Sequence, residues 1–287
     1  MNIIVPKHSG FCYGVRRSVS EAFKLADEKH TYMYGEVVHN PSVVADLSTF
    51  NIKLIHSLDE IPTGEAAKVL IRAHGVPADV LDEAQARGLT VIDMTCPHVK
   101  KIHAVVAYAS TRGLDVIVCG TPNHPETLGI ISRVTTQRLI VKDVDEAKKV
   151  IPAIHFSPLG VCLVAQTTHN KETYEKLHHF LANECPNMPL LEPHNTICEA
   201  TAFRQNELRE LAQTADACII VGGKNSSNVT KLYEIASEYC VNTRHIESAE
   251  ELDASEIKNA RTVIVTGGAS TPNDAVHTVV EKLKEGA

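Results

Sequence analysis

The sequence of 287 residues contains no tryptophan, and aromatic residues make up only 5% of it. Positive charge is not in excess, since 28 lysines and arginines stand beside 35 aspartates and glutamates, a net charge of −7. A nucleic-acid surface needs a basic patch, and a membrane-spanning helix needs about 18 or more consecutive apolar residues. The sequence shows neither feature. We therefore expect no nucleic acid and no membrane among the partners.

Signals for export and for nucleotide binding are also missing. The first residues, MNIIVPKHSG, lack the basic and then apolar layout of a secretory signal peptide. The chain contains no Gly-X-Gly-X-X-Gly and no Gly-X-X-X-X-Gly-Lys-Ser/Thr motif, so no nicotinamide, flavin or nucleotide site is evident. We expect a cytoplasmic protein that takes its electrons from another protein if its reaction is a redox reaction.

The chain has eight cysteines but no Cys-X-X-Cys pair, which excludes zinc fingers and thioredoxin-type redox pairs. A chain of this size without an export signal does not need disulfides, so each cysteine is expected to be core filler, metal ligand or nucleophile. Any metal site has to gather its ligands from distant parts of the chain.

Short β-branched apolar runs alternate with amphipathic segments along the whole chain. This alternation predicts an α/β fold with mainly parallel sheets. The predicted strands cover residues 3–5, 69–73, 116–120, 161–165, 218–222 and 262–267. The predicted helices cover residues 14–28, 97–111, 170–183, 199–214, 228–239 and 272–284.

Three cysteines mark a threefold repeat of about 96 residues. Each stands at the start of a similar predicted helix, and 23 or 24 residues later comes a strand that ends in glycine and a polar loop. Another strand end follows 62 to 72 residues after each cysteine. The cysteines are Cys12, Cys96 and Cys198, the glycines are Gly35, Gly120 and Gly222, and the later strand ends are His74, Thr167 and Ser270.

Ligands of open α/β sheets gather at the carboxyl ends of the strands. Three units around an axis would therefore bring the three cysteines and six polar loops to one central site. A helix N-terminus stabilises a thiolate, and three thiolates without zinc spacing indicate an iron–sulfur cluster in which one iron has no protein ligand. The plainer alternative is that these cysteines are small core residues. We interpret the other five in that way, namely Cys119, Cys162, Cys185, Cys218 and Cys240.

The polar loops carry neutral donors and almost no lysine or arginine. Such donors, with backbone N–H groups at strand-to-helix turns, can hold a phosphate. Burial of Glu126 beside a substrate would raise its pKa and let it deliver protons. Taken singly, the histidines could cap helices or satisfy core polar groups, and the run 225–228 could be a helix N-cap. The candidate residues are His39, His74, His124, Glu126, Thr167, Ser226, Ser227, Asn228 and Ser270.

Nine ordered motifs carry a family resemblance. They are GFCYGV around Cys12, EVVHNP around His39, AHGV around His74, TCP at Cys96, NHPE at 123–126, QTT at 166–168, TIC at 196–198, GGKNSSN at 222–228 and GGASTP at 267–272. From residue 2 to about residue 284, the sequence resembles the IspH/LytB family of 4-hydroxy-3-methylbut-2-enyl diphosphate reductases.

The resemblance implies a trefoil of three pseudo-threefold-related α/β domains around one [4Fe–4S] cluster per chain. The cluster ligands would be Cys12, Cys96 and Cys198, with one iron left without a protein ligand. Together with the repeat, it predicts domains at residues 13–96, 97–195 and 196–287. The N-terminal strand, within residues 1–12, would complete the third domain.

The resemblance also implies the reaction, the last step of the non-mevalonate isoprenoid pathway. The hydroxyl of the allylic diphosphate would bind the open iron. A ferredoxin or flavodoxin would supply two electrons. With two protons, these would remove the hydroxyl as water and give isopentenyl and dimethylallyl diphosphates. Glu126, as proton source, would act with Thr167 and His124. The diphosphate would contact His39, His74, His124, Ser226, Ser227, Asn228 and Ser270, with Thr167 also at the substrate.

Two other functions remain open at this point. One is a dehydratase of the quinolinate synthase-like type, which also combines three cysteines with three α/β domains. The other is a non-catalytic metal- or anion-binding protein of the same fold. A positioned acid at Glu126 argues against the second, because a protein that only binds does not need one.

Overall fold

Three parallel β-sheets form the framework of the protein. The computed structural model describes residues 1–25, 28–185 and 187–286. Among these residues, twelve strands form three sheets of four, and every strand pairing is parallel. The first sheet contains β2 (Thr31–Tyr34), β3 (Ile52–Ile55), β4 (Lys68–Ile71) and β5 (Thr90–Asp93); the second contains β6 (Asp115–Cys119), β7 (Arg138–Val141), β8 (Val161–Ala165) and β9 (Leu191–Pro193); the third contains β10 (Ala217–Val221), β11 (Thr243–Ile246), β12 (Thr262–Gly267) and β1 (Asn2–Ile4).

The strand order is the same in all three sheets. Counted along the repeat, the strands lie in the order second, first, third, fourth. In the third sheet β1 takes the fourth place, with Asn2 opposite Thr262 and Ile4 opposite Ile264. Every residue of the central strands β6, β8 and β10 is buried, as expected for parallel strands that are covered on both faces. The predicted α/β class with parallel sheets is confirmed.

Helices connect the strands, and no helix in the described part of the chain is long and apolar enough to cross a membrane. The helices are α1 (Tyr13–Lys24), α2 (Pro41–Ser48), α3 (Ala78–Ala86), α4 (Pro97–Thr111), α5 (Pro125–Ile131), α6 (Val144–Val150), α7 (Lys171–Asn183), α8 (Glu199–Ala212), α9 (Ser227–Tyr239) and α10 (Asn273–Glu285).

The six predicted strands and six predicted helices are all found, most with ends within two residues of the prediction. The first helix, predicted over 14–28, ends at Lys24, and residues 26 and 27 of that prediction lie outside the described residues. The predicted strand that ends at Gly35, for which no bounds were predicted, is β2. The prediction missed the helices α2, α3, α5 and α6, and the edge strands β3, β5, β7, β9 and β11. These elements have three to nine residues, too few for a clear period.

The chain divides into two compact units. The first comprises Met1–Val19, Val38–Thr49 and Glu199–Ala287, and it contains the third sheet with α2 and α8 to α10. Alternate residues of its central strand pack on opposite faces, with Ile219 in one core cluster and Cys218 in the other. The second unit comprises Ser20–Val37 and Phe50–Cys198, and it contains the first and second sheets with α3 to α7.

Candidate active site

Each of the three predicted ligand cysteines directly precedes a helix. Cys12 stands before α1, Cys96 before α4 and Cys198 before α8. All three are partly exposed. Cys96 is the N-cap residue of α4, with Pro97 at the first helical position. The predicted helix starts are confirmed, and the positive end of a helix dipole favours a thiolate at such a position.

The backbone of these cysteines makes the same hydrogen bond three times. The N–H of Cys12 donates to the carbonyl of Ala269 over 3.2 Å, that of Cys96 to Ala73 over 3.0 Å, and that of Cys198 to Thr167 over 3.0 Å. Each acceptor lies in the loop after the third strand of a sheet. The repeat that the sequence predicts is therefore present in the backbone bonds that fix each cysteine against a polar loop.

The five other cysteines occupy different positions. Cys119, Cys162 and Cys218 are buried inside β6, β8 and β10, Cys240 is buried just after α9, and Cys185 is partly exposed. Burial raises the pKa of Cys162 and of Cys218 to about 12. These two thiols stay protonated near neutral pH and are poor metal ligands.

Glu126 is a fully buried carboxyl at the start of α5. Its Oε1 accepts the backbone N–H of Thr167 over 2.6 Å, and its Oε2 accepts the Thr167 hydroxyl over 2.7 Å. Burial raises the pKa of Glu126 to about 7, although both hydrogen bonds from Thr167 lower it. Because desolvation dominates, this carboxyl can hold and release a proton near neutral pH.

Two histidines lie beside this acid in the same compact unit. His124 is the N-cap residue of α5, and its Nδ1 accepts the backbone N–H of Glu126 over 3.1 Å. A neutral His124 therefore carries its hydrogen on Nε2, where it can donate to a ligand. The ring of His74 meets that of His124 edge to face, with 5.5 Å between the ring centres.

A second group of predicted residues lies in the other compact unit, at the start of α9. Ser226 is the N-cap residue, and its Oγ accepts the N–H of Val229 over 3.4 Å. The Ser270 hydroxyl lies 3.2 Å from Ser226 Oγ and donates to the backbone carbonyl of His39 over 3.3 Å. Neutral hydroxyls at a helix N-terminus form an arrangement that suits an anion.

Asn228, the second residue of α9, ties this group to the neighbouring loop. It is almost fully buried, and its Oδ1 accepts the N–H of Ala269 over 2.8 Å. Ser227, the first residue of the helix, is partly buried. Lys224 points elsewhere, since its Nζ lies 3.4 Å from a carboxylate oxygen of Glu251. The group is therefore built from neutral side chains, as the sequence predicts.

The glycine pair before this helix is required by close packing. A Cβ on Gly223 would lie 2.6 Å from the carbonyl oxygen of His39. Gly222 has a φ of +146°, and a Cβ there would also clash with Thr271. Only glycine lets the loop after β10 approach the His39 segment this closely.

Sequence reasoning missed three side chains near the candidate residues. The Oε1 of Gln166 accepts the N–H of Thr121 over 3.0 Å, which joins the loops after β6 and β8. His103 of α4 is buried, and desolvation lowers its pKa to about 4. Arg204 of α8 is buried against the segment that leads to Cys12. Gln166 belongs to the QTT motif, directly before the landmark Thr167. His103 and Arg204 fall at no landmark of the repeat, so their sequence positions give no signal.

The family model described as LytB protein matches residues 3–284, almost the whole chain. The chain belongs to the LytB family. A curated member, 4-hydroxy-3-methylbut-2-enyl diphosphate reductase of Clostridium perfringens (strain SM101 / Type A), is 38% identical over 288 residues, covering 99% of both chains. The family resemblance inferred from the nine motifs is confirmed.

Two solved structures are similar to this chain over almost its whole length. A structure of (E)-4-hydroxy-3-methyl-but-2-enyl diphosphate reductase, described as the terminal enzyme of the non-mevalonate pathway, matches with a TM-score of 0.69 and 33% identity, covering 99% of both chains. The E-1-hydroxy-2-methyl-but-2-enyl-4-diphosphate reductase of Plasmodium falciparum matches with a TM-score of 0.89 and 27% identity. It covers 98% of this chain and 87% of its own.

Proposed function

We propose that this LytB protein reduces (E)-4-hydroxy-3-methylbut-2-enyl diphosphate to isopentenyl and dimethylallyl diphosphates. The C–O bond of the allylic alcohol breaks, two electrons and two protons enter, and water leaves. Membership of the family and the full-length likeness to reductases of this name support the proposal. The observation that carries it is the buried carboxyl of Glu126, whose pKa of about 7 suits an acid that protonates a leaving hydroxyl.

We propose Cys12, Cys96 and Cys198 as the ligands of one [4Fe–4S] cluster with one iron that no protein group ligates. The donor set suits such a cluster, because three thiols stand at equivalent helix starts and each is partly exposed. When bound, the cluster supplies electrons and Lewis acidity to the reaction. The chain itself supplies the substrate contacts and the proton.

We propose the polar residues predicted from the sequence as the contacts of the substrate diphosphate. Histidine N–H groups, serine hydroxyls and the N-terminus of α9 all donate hydrogen bonds, as phosphate oxygens require. These donors are His39, His74, His124, Ser226, Ser227, Asn228 and Ser270.

The proton is proposed to pass from Glu126 to the departing hydroxyl, with the Thr167 hydroxyl beside it. After transfer, the carboxylate keeps two hydrogen bonds from Thr167, its N–H at 2.6 Å and its hydroxyl at 2.7 Å. Charge-assisted bonds of this kind stabilise the ionised form. The Nε2–H of His124 can at the same time orient the substrate.

Electron supply, location and domain division complete the proposal. A ferredoxin or flavodoxin is proposed as the electron donor, because the sequence has no nucleotide motif. The cytoplasm is proposed as the location of the protein. The three sheets are proposed to mark domains at residues 13–96, 97–195 and 196–287. The pairing of β1 with β12 supports adding residues 1–12 to the third.

The test is the substitution Glu126→Gln, with Glu175→Gln on the exposed face of α7 as its control. A glutamine can keep both contacts to Thr167, so iron and sulfide content and substrate affinity should stay near the wild-type values. Turnover with a chemically reduced dye should fall at least about 100-fold. Full turnover in Glu126→Gln would remove Glu126 from the mechanism. Tight substrate binding without turnover in the wild-type chain would favour a protein that only binds.

A further inference from the structure

The segment before Cys12 is held to α8 by an arginine and a glutamate three residues apart. Arg204 donates from Nε to the carbonyl of His8 and from Nη2 to the carbonyl of Gly10, both over 2.6 Å. Glu207 accepts the backbone N–H of Lys7 over 2.7 Å and of His8 over 3.0 Å, and its carboxylate lies 2.8 Å from His8 Nδ1. Together, the two side chains bind the N–H groups of Lys7 and His8 and the carbonyls of His8 and Gly10.

The burial of Arg204 shows that this contact is more than a surface ion pair. Its exposed fraction is 4%. A guanidinium loses hydration on burial, so a buried one is retained where hydrogen bonds compensate for that loss. Here the rigid fork of the guanidinium spans two carbonyls that lie two residues apart in the chain. The Arg204 side chain therefore stabilises one conformation of residues 8–10.

The same segment is fixed on its other side by β12 and the loop that follows it. The N–H of Gly10 donates to the carbonyl of Gly267 over 3.2 Å, and the N–H of Gly267 donates to Ser9 Oγ over 2.8 Å. Gly10 has a φ of +84°, and a Cβ there would clash with Asn273. The chain is thus bound between α8 and β12 up to the residue before Phe11 and Cys12.

The other two candidate ligands are reached by shorter segments. Two residues separate the end of β5 from Cys96, and four separate the end of β9 from Cys198. Seven residues separate the end of β1 from Cys12. A longer segment has more conformational freedom to lose. The contact made by Arg204 and Glu207 therefore lies next to Cys12, the candidate ligand farthest along the chain from the end of its strand.

Resting on the proposed function, we propose that Arg204, assisted by Glu207, is a positioning residue for Cys12 as an iron–sulfur ligand. By fixing residues 7–10, it keeps the Cys12 thiol in place before the cluster is inserted and after it is bound. Outer-shell groups that orient a metal ligand commonly change metal affinity by about 10- to 100-fold when they are removed. Arg204 does not touch the substrate in this role.

The test compares Arg204→Gln, Arg204→Lys and Glu207→Gln with the control Arg209→Gln. Arg209 lies on the same helix, and its Nη1 donates to Asn206 Oδ1 at an exposed position. The full chain, before cluster insertion, is treated with iodoacetamide, and labelling of each cysteine is followed by mass spectrometry. Arg204→Gln should raise the labelling rate of Cys12 several-fold, with Cys96 and Cys198 unchanged. Arg204→Lys, which keeps one charged donor, should restore most of the protection, and Glu207→Gln should lie between.

The second readout is the cluster after anaerobic reconstitution. Arg204→Gln should lose iron to a chelator roughly tenfold faster than the wild type and give a shifted paramagnetic signal when reduced. The control should match the wild type in both readouts. The positioning role would be overturned if Arg204→Gln raised the labelling rates of Cys12, Cys96 and Cys198 equally. It would also be overturned if this variant matched the wild type in both readouts. A wild-type chain that binds no cluster would overturn the proposed function, while the labelling of Cys12 would still decide the contact itself.

Discussion

The helices α5 and α9 begin with the same construction but with different chemistry. In each, the second helical residue reaches across to the loop after the third strand of its sheet. Glu126 accepts the N–H of Thr167 over 2.6 Å, and Asn228 accepts the N–H of Ala269 over 2.8 Å. One copy of the repeat thus places a carboxylate where another places an amide.

The contacted loop residues are equivalent as well. The carbonyl of Thr167 accepts the N–H of Cys198, and the carbonyl of Ala269 accepts the N–H of Cys12. In both copies the loop residue donates its N–H to the side chain at the second helical position. Its carbonyl accepts the N–H of the cysteine. In the first repeat the second residue of α2, Ser42, is exposed. The repeated backbone provides the scaffold, and the side chain at one position decides whether a copy carries a titratable carboxyl or a neutral amide.

The largest expected effect, apart from the loss of turnover in Glu126→Gln, concerns pH and stability. The pKa of Glu126 is about 7 in the folded chain and 4.5 as its ordinary value. Between these values the folded state binds more protons than the unfolded state, so stability decreases as pH rises through this window. Glu126→Gln removes this dependence. Between pH 4 and pH 8, the free energy of unfolding of the wild type should therefore fall by about 3 kcal/mol relative to that of the variant.

Urea unfolding of both chains at pH 4, 5, 6, 7 and 8 measures this difference. Asn228→Asp places a carboxyl at the equivalent buried position, so its stability should instead decrease with rising pH relative to the wild type. Parallel curves for Glu126→Gln and the wild type would mean that burial leaves the Glu126 carboxyl at its ordinary pKa.

The next largest effect should come from Asn228→Asp on catalysis. In the proposed substrate site, a carboxylate at position 228 would repel the diphosphate, so KM should rise roughly 10- to 100-fold while kcat changes less. Glu126→Gln should show the opposite split, with kcat reduced and KM nearly unchanged. Steady-state kinetics of the two variants measure both constants. If Asn228→Asp keeps the wild-type KM, Asn228 does not lie near the diphosphate.

The smallest effect should come from Ser270→Ala. This change removes one neutral hydroxyl, and a hydrogen bond of that kind contributes about 0.5–1.5 kcal/mol, or roughly 2- to 12-fold in affinity. Binding of the substrate by calorimetry measures the loss, and Ser237→Ala on the exposed face of α9 is the control. Equal affinity in both variants would exclude the Ser270 hydroxyl from the substrate contacts.

The sequence predicted the central strands and the longer helices because their signals are local. β6, β8 and β10 are continuous apolar runs, and cysteine followed by proline marks the start of α4. The edge strands were missed because they are short and half exposed; in β3, for example, Lys53 and Leu54 face solvent. Their place depends on the neighbouring strand rather than on their own pattern.

The sequence by itself determined the α/β class, the threefold repeat, the register of the three cysteines at helix starts, and the residue types of the candidate site. These follow from composition and spacing, which local physical chemistry reads directly. Only the tertiary structure decided that Glu126 is fully buried with a pKa near 7, and that Arg204 holds a segment 194 to 196 residues away in the chain. Burial and long-range hydrogen bonds depend on which distant segments pack together, and no local pattern encodes that.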